Sequence, residues 1–197
     1  KKMDYRNSKE VDLDIIYKKV IKNLFDSLTE YELIRADEIS GSEIIDVSMY
    51  SLLLKADLVI ADITTMNENA IYELGIRHAS KPFSTIIMMQ ESEKIPFDLN
   101  HCRILTYKDF GEVLDDEEAE KIKTNLHSFI KASEEQNIDS PLYTYLPNIV
   151  PPNISDRELD ELLDTAKTKE ETISNLVGKA EALKNESKFK ESISEWK

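Results

Sequence analysis

The stretch ADLVIADITTMNENAIYELGIRHA, residues 56–79, decides the fold. Its opening, DLVIADI at 57–63, is an almost continuous apolar run. A strand covered on both faces reads this way, as strands of parallel sheets do. A short polar turn follows, and residues 68–80 carry apolar side chains at helical spacing. Thr65 with Glu68 three positions later predicts a capping box at the start of that helix. Pro82, just beyond it, predicts the stop. Strand, tight turn and helix form the first half of a βαβ unit.

The flanking sequence extends the alternation. Leu13, Ile16, Tyr17, Val20, Ile21, Leu24, Phe25 and Leu28 predict a helix over 11–28. YELIRA at 31–36 predicts a strand, and 44–56 a second helix. FSTIIMM at 83–89 and CRILTY at 102–107 predict two more strands, and Ile122, Leu126, Phe129 and Ile130 a long helix over 117–134. The expected fold class over residues 1–138 is α/β: a three-layer, flavodoxin- or Rossmann-like domain with a mostly parallel sheet. Its ligands are expected beyond the carboxyl ends of the strands. Only a polar loop precedes the first helix, so the first strand of such a sheet is expected to be missing.

Residues 139–154 hold four of the six prolines and read as a semi-rigid linker. Residues 155–197 are helical in composition, with 8 Lys+Arg against 11 Asp+Glu. Ala180 to Leu183, then Phe189, Ser192, Ile193 and Trp196, resemble the two helices of a tetratricopeptide repeat. One repeat cannot bury its own face, so the segment reads as the start of an array.

Composition narrows the function. The 197 residues carry 25 Lys+Arg against 39 Asp+Glu, a net charge of −14, which argues against a nucleic-acid partner. Hydrophobic content of 41% is enough for a core. The four glycines lie too far apart for a phosphate-binding P-loop or a GxGxxG turn. A lone cysteine, Cys102, leaves no internal disulfide or CxxC pair and reads as a buried strand residue in a reduced, cytoplasmic setting. No apolar run approaches the ~20 residues that span a bilayer, so no membrane partner is expected. His78 reads as a packed core residue, His101 as a loop residue and His127 as a surface one; no ligand spacing links them, so neither metal nor other cofactor is expected.

The residues able to carry chemistry cluster in 56–79. Asn69, Glu73 and Arg77 are each four apart and share one helical face, while Ile71, Leu74, Gly75 and His78 share another. Spacing alone favours a solvated Glu73–Arg77 ion pair. Asp62 closes the strand and could simply cap the turn.

Taken together, Ala56-Asp57, Ile60 to Thr64, Asn67 to Asn69 and Tyr72-Glu73-Leu74-Gly75 resemble the nucleoside 2-deoxyribosyltransferase-like superfamily, which includes nucleotide N-hydrolases and deoxyribohydrolase-type domains. The likeness covers roughly residues 1–150, including Arg35 to Ile39, Ile45 to Tyr50 and Pro96-Phe97-Asp98. Within the superfamily it is nearest to bacterial proteins that place this domain before tetratricopeptide repeats, in defence and signalling.

That resemblance implies that Glu73 is a nucleophile at the anomeric carbon of a nucleoside or nucleotide, as in a retaining glycosidase. It implies a second acid that protonates the departing base, for which Asp62 and Asp37 are placed by position. N-hydrolases carry an acid before the AD pair; Met49 stands there, with Asp46 one turn earlier as the candidate. Arg35, Asp37, Thr64 and Asn69 become candidates for substrate binding. A homo-oligomer is expected, with a protein partner on the helical segment. The alternative is a nucleotide-sensing interaction module without turnover.

Overall fold

A computed structural model describes residues 2–4, 9–38, 47–91, 94–111, 113–135 and 137–185. The chain divides into two compact units, Lys1–Ser40 with Leu52–Pro152, and Gly41–Ser51 with Asn153–Lys197.

In the first unit, two short antiparallel strands, β1 (Lys2–Asp4) and β2 (Lys9–Val11), precede the first helix. The expectation that no strand comes before it is therefore corrected, although these two stand apart from the parallel sheet. The helix begins as α1 (Leu13–Ile16), widens into a π-helical stretch at Tyr17–Lys22 and closes as α2 (Asn23–Phe25). After α3 (Val47–Lys55), across which the boundary between the units falls, come β3 (Val59–Asp62), α4 (Glu68–Ser80), β4 (Thr85–Gln90) and β5 (Ile104–Tyr107). The three strands pair in parallel in the order β3-β4-β5, with Asp62 opposite Met88 and Gln90 opposite Tyr107. The unit continues with α5 (Asp116–Ser133) and the short α6 (Pro141–Tyr145).

Every residue of β4 is buried, which explains its unbroken apolar run. A strand's two-residue period sends Ile86 and Met88 to one face and Ile87 and Met89 to the other. The first pair packs with Ile60, Leu105 and Tyr107 beneath Ile16, Val20 and Leu24 of the first helix and Ile122 and Leu126 of α5. The second packs with Ile63 and with Leu74 of α4. Burying each such side chain stabilises the unit by about 1.5–3 kcal/mol. Helices on both faces of a parallel sheet are compatible with a three-layer α/β fold.

Residues 31–36 are not a strand. Tyr31, Leu33 and Arg35 are half-buried while Glu32, Ile34 and Ala36 are exposed, so the alternation is real. Among the described residues no strand pairs with them, and the chain turns into a 3-10 helix at Ala36–Glu38. The helix at 68–80 forms with the expected bounds, but its cap is corrected. Asn67, not Thr65, caps α4, accepting from the amides of Asn69 at 3.0 Å and Ala70 at 3.1 Å.

Arg77 fixes α4 in place. Its guanidinium is fully buried and donates to the carbonyls of Leu53 at 2.7 Å, Ala56 at 2.9 Å and Phe83 at 3.4 Å. The first two are at the end of α3, where a helix leaves carbonyls unpaired and negative. Burial pushes the Arg77 pKa down to about 10, against the attraction of Asp139 and Asp57. The solvated Glu73–Arg77 pair allowed by spacing is therefore not formed.

The proline-rich stretch packs on this unit. Asp139 Oδ2 accepts from the Thr85 amide at 2.6 Å, and the Tyr143 hydroxyl donates to the Ala79 carbonyl at 2.5 Å. The second unit contains α7, one uninterrupted helix over Asp156–Asn185. The second half of the repeat-like pattern, at 186–197, lies outside the described residues. No helix among the described residues is long and apolar enough to cross a membrane.

Arg77→Leu leaves the Leu53 and Phe83 carbonyls without this donor and the Ala56 carbonyl to Lys81 alone, and should reduce the unfolding free energy by about 3 kcal/mol. Urea denaturation reads this directly. Arg77→Lys, which keeps a donor, should lose less, and equal losses in the two variants would contradict the assigned role.

Candidate functional site

Three polar residues close the three parallel strands: Asp62 on β3, Gln90 on β4 and Tyr107 on β5. The strand period puts all three on the face that carries Ile60, Met88 and Leu105. Asp62 holds a dense set of bonds. Its Oδ1 accepts from the Thr64 amide at 3.0 Å and from Thr64 Oγ1 at 2.6 Å. Its Oδ2 lies 2.6 Å from the Tyr107 hydroxyl, the donor when Asp62 is ionised. Thr64 Oγ1 and the Tyr107 hydroxyl are themselves 2.9 Å apart, and Thr64 Oγ1 accepts from the Gln90 amide at 3.1 Å. Thr64 and Tyr107 are buried, whereas Asp62 keeps partial exposure.

Burial pushes the Asp62 carboxyl above its ordinary pKa, against the lowering effect of the Thr64 and Tyr107 bonds. Burial, then the neighbouring Asp62 charge, pushes the Tyr107 phenol strongly up. The side-chain Oε1 of Gln90 is buried and has no partner among the described residues.

The turn after β3 sets the second carboxylate. Met66 adopts φ +48°, a left-handed conformation that reverses the chain into the Asn67 cap. Glu73 follows in the second turn of α4. It is half-buried, burial raises its pKa, and it makes no hydrogen bond or ion pair among the described residues. Asp62 and Glu73 thus belong to one strand–turn–helix unit, without a hydrogen bond between them.

The remaining candidates are placed differently. Asn69 is exposed on the first turn of α4. Thr64 is committed to Asp62, Tyr107 and Gln90. Arg35 pairs with Asp14 Oδ1 at 2.6 Å and lies 4.4 Å over the Tyr17 ring; its bond holds the Asp14 carboxyl below its usual range. Asp37 falls in the 3-10 turn, and Asp46 lies outside the described residues. His78 is buried as expected, and burial with the Arg77 charge pushes its pKa down to about 4. Cys102 is half-buried in the second core cluster, just before β5 rather than within it. An open pocket of about 370 Å³, lined by Phe97, Asp98, His101, Leu142, Tyr145 and others, includes neither Glu73 nor Asp62.

Tyr107 and Gln90 were not among the candidates. The signal that marks them is the polar residue closing each apolar run at the same parity as Asp62. No protein-family model, curated protein or solved structure matches the chain.

The Asn67 cap starts the helix that carries Glu73. Asn67→Ala should lower stability by about 1 kcal/mol. Amide hydrogen exchange at Asn69 and Ala70 should speed up while β4 remains protected, and unchanged exchange at both would contradict the cap.

Proposed function

We propose that the first unit is a nucleoside- or nucleotide-processing domain that cleaves or transfers at an N-glycosidic bond, with Glu73 as nucleophile and Asp62, assigned by its position at the end of the preceding strand, as the acid that serves the departing base. One observation above all supports this. Glu73 is a half-buried carboxylate with no protein partner among the described residues, on the helix that follows the Asp62 strand end. A structural carboxylate at that depth is ordinarily paired or hydrogen-bonded.

In this chemistry a Glu73 oxygen bonds to the anomeric carbon as the carbon–nitrogen bond breaks. The electron pair leaves on the base, which takes a proton from Asp62. Water, or a second base, then attacks the glycosyl ester and restores Glu73, and the proton of that nucleophile returns to Asp62. Asn69, exposed on the same helix, is proposed to contact substrate, and Asp37 and Asp46 stay in the proposal by sequence position. The three-layer flavodoxin-like fold, a cytoplasmic setting, self-association and a protein partner for the helical segment belong to the same proposal. A nucleotide sensor without turnover is the second reading, favoured by Met49 standing where the N-hydrolases that the sequence resembles carry an acid.

The full chain is incubated with a panel of nucleosides and nucleotides, and free base is measured by chromatography. Wild type should release base, and Glu73→Gln should lose at least ~10³-fold in rate. Burial raises the folded pKa of Glu73 above its unfolded value, so its negative charge costs the folded state some stability once pH has risen through that interval. Removing that charge should leave the melting temperature equal or slightly higher. Base release by Glu73→Gln at the wild-type rate removes Glu73 from the chemistry, and binding without release by wild type selects the sensor.

A further inference from the structure

Asp62, Thr64 and Tyr107 pose a question of proton count. Three oxygen–oxygen contacts join them in a ring: Asp62 Oδ1 to Thr64 Oγ1 at 2.6 Å, Thr64 Oγ1 to the Tyr107 hydroxyl at 2.9 Å, and the Tyr107 hydroxyl to Asp62 Oδ2 at 2.6 Å. Threonine and tyrosine bring one hydroxyl proton each, and an ionised aspartate brings none. With Asp62 ionised, both protons point at the carboxylate, and the Thr64–Tyr107 contact is left with two oxygens facing each other and no proton between them. One more proton, on Asp62 Oδ2, resolves every contact. Asp62 then donates to Tyr107, Tyr107 donates to Thr64, and Thr64 donates to Asp62 Oδ1.

We propose that Asp62 is carried at neutral pH as the neutral carboxylic acid, closed into a three-membered hydrogen-bond ring with Tyr107 and Thr64. The surroundings agree. The first helix and α5 present apolar side chains to the cluster containing Tyr107, and β4 presents Met88 and the uncharged Gln90. Asp109 adds a negative charge that acts on Tyr107. Glu73 is carried by α4, which packs on the opposite face of the sheet. Among the described residues no cation acts on Asp62 to hold it ionised, and burial raises its pKa. The Gln90 amide anchors the ring by donating to Thr64 Oγ1 at 3.1 Å. Asp62 alone of the three residues keeps partial exposure, while Thr64 and Tyr107 are buried. That the Asp62 proton is the one taken by a departing base rests on the function proposed above; its presence does not.

Two measurements on the full chain test the ring without using base release, so an inactive protein leaves the test intact. In carbon-13 NMR, the Asp62 carboxyl carbon should stand at the neutral-acid position at about pH 7 and move to the ionised position only at higher pH. The second measurement is the melting temperature of wild type and Asp62→Asn from about pH 4 to about pH 8. An amide reproduces the donor and acceptor of the neutral acid. A carboxyl whose folded pKa lies above its unfolded value of about 3.9 loses stability as pH rises through that interval, and an amide does not. Asp62→Asn should therefore gain on wild type by at least ~3 °C across the range. An ionised carbon signal at pH 7 overturns the proposal. So does a temperature difference that stays flat with pH, and the carbon signal alone decides if the variant does not fold.

Discussion

One buried charge organises the first unit. The guanidinium of Arg77 is fully enclosed, and three main-chain carbonyls from the end of α3 and the turn before β4 meet it. A charge taken out of water is strongly unfavourable unless hydrogen bonds replace its hydration. Helix ends supply carbonyls of that kind, already unpaired and negative. Lys81 adds a second cation there, donating to the carbonyls of Lys55 and Ala56. The orientation of α4 about its own axis follows. With Arg77 and Leu74 turned inward, Glu73 is left half-buried and Tyr72 exposed.

The two ends of the parallel sheet are finished differently. At the amino end of β4, Asp139 accepts from the Thr85 amide, so the chain after α5 is tied down by its own carboxylate. At the carboxyl end, Asp62, Thr64, Tyr107 and the Gln90 amide bond chiefly to one another. This second cluster lies where parallel α/β sheets place their ligands. It joins the three strand ends through the side chains of Asp62, Thr64 and Tyr107 and the main-chain amide of Gln90, and so it holds the Asp62 carboxyl by several hydrogen bonds.

Hydrophobic patterning carried much of the fold. The run at 57–63 became β3, the run at 83–89 became β4, and the helix at 68–80 formed between them. These segments were legible because a strand buried on both faces and an amphipathic helix leave different periods in a sequence. YELIRA was misleading for a related reason. Its alternation records packing on one side, whereas a strand also needs a partner backbone, which no local pattern reports. Thr65 was misleading as a cap because the left-handed Met66 reverses the chain after it and brings Asn67, two residues on, to the capping position.

Of the candidate site, the sequence by itself determined the strand–turn–helix unit and the presence on it of Asp62 and Glu73. Adjacency in the chain guarantees that much. Tertiary structure alone decided what surrounds them. Arg77, four residues after Glu73, was free by spacing to be its partner but is drawn inward by carbonyls 21 and 24 positions away in the chain. Tyr107 reaches Asp62 across 45 positions because two parallel crossovers stack the strand ends side by side. Such contacts depend on how strands order themselves in a sheet, and that order is set by packing the whole core at once.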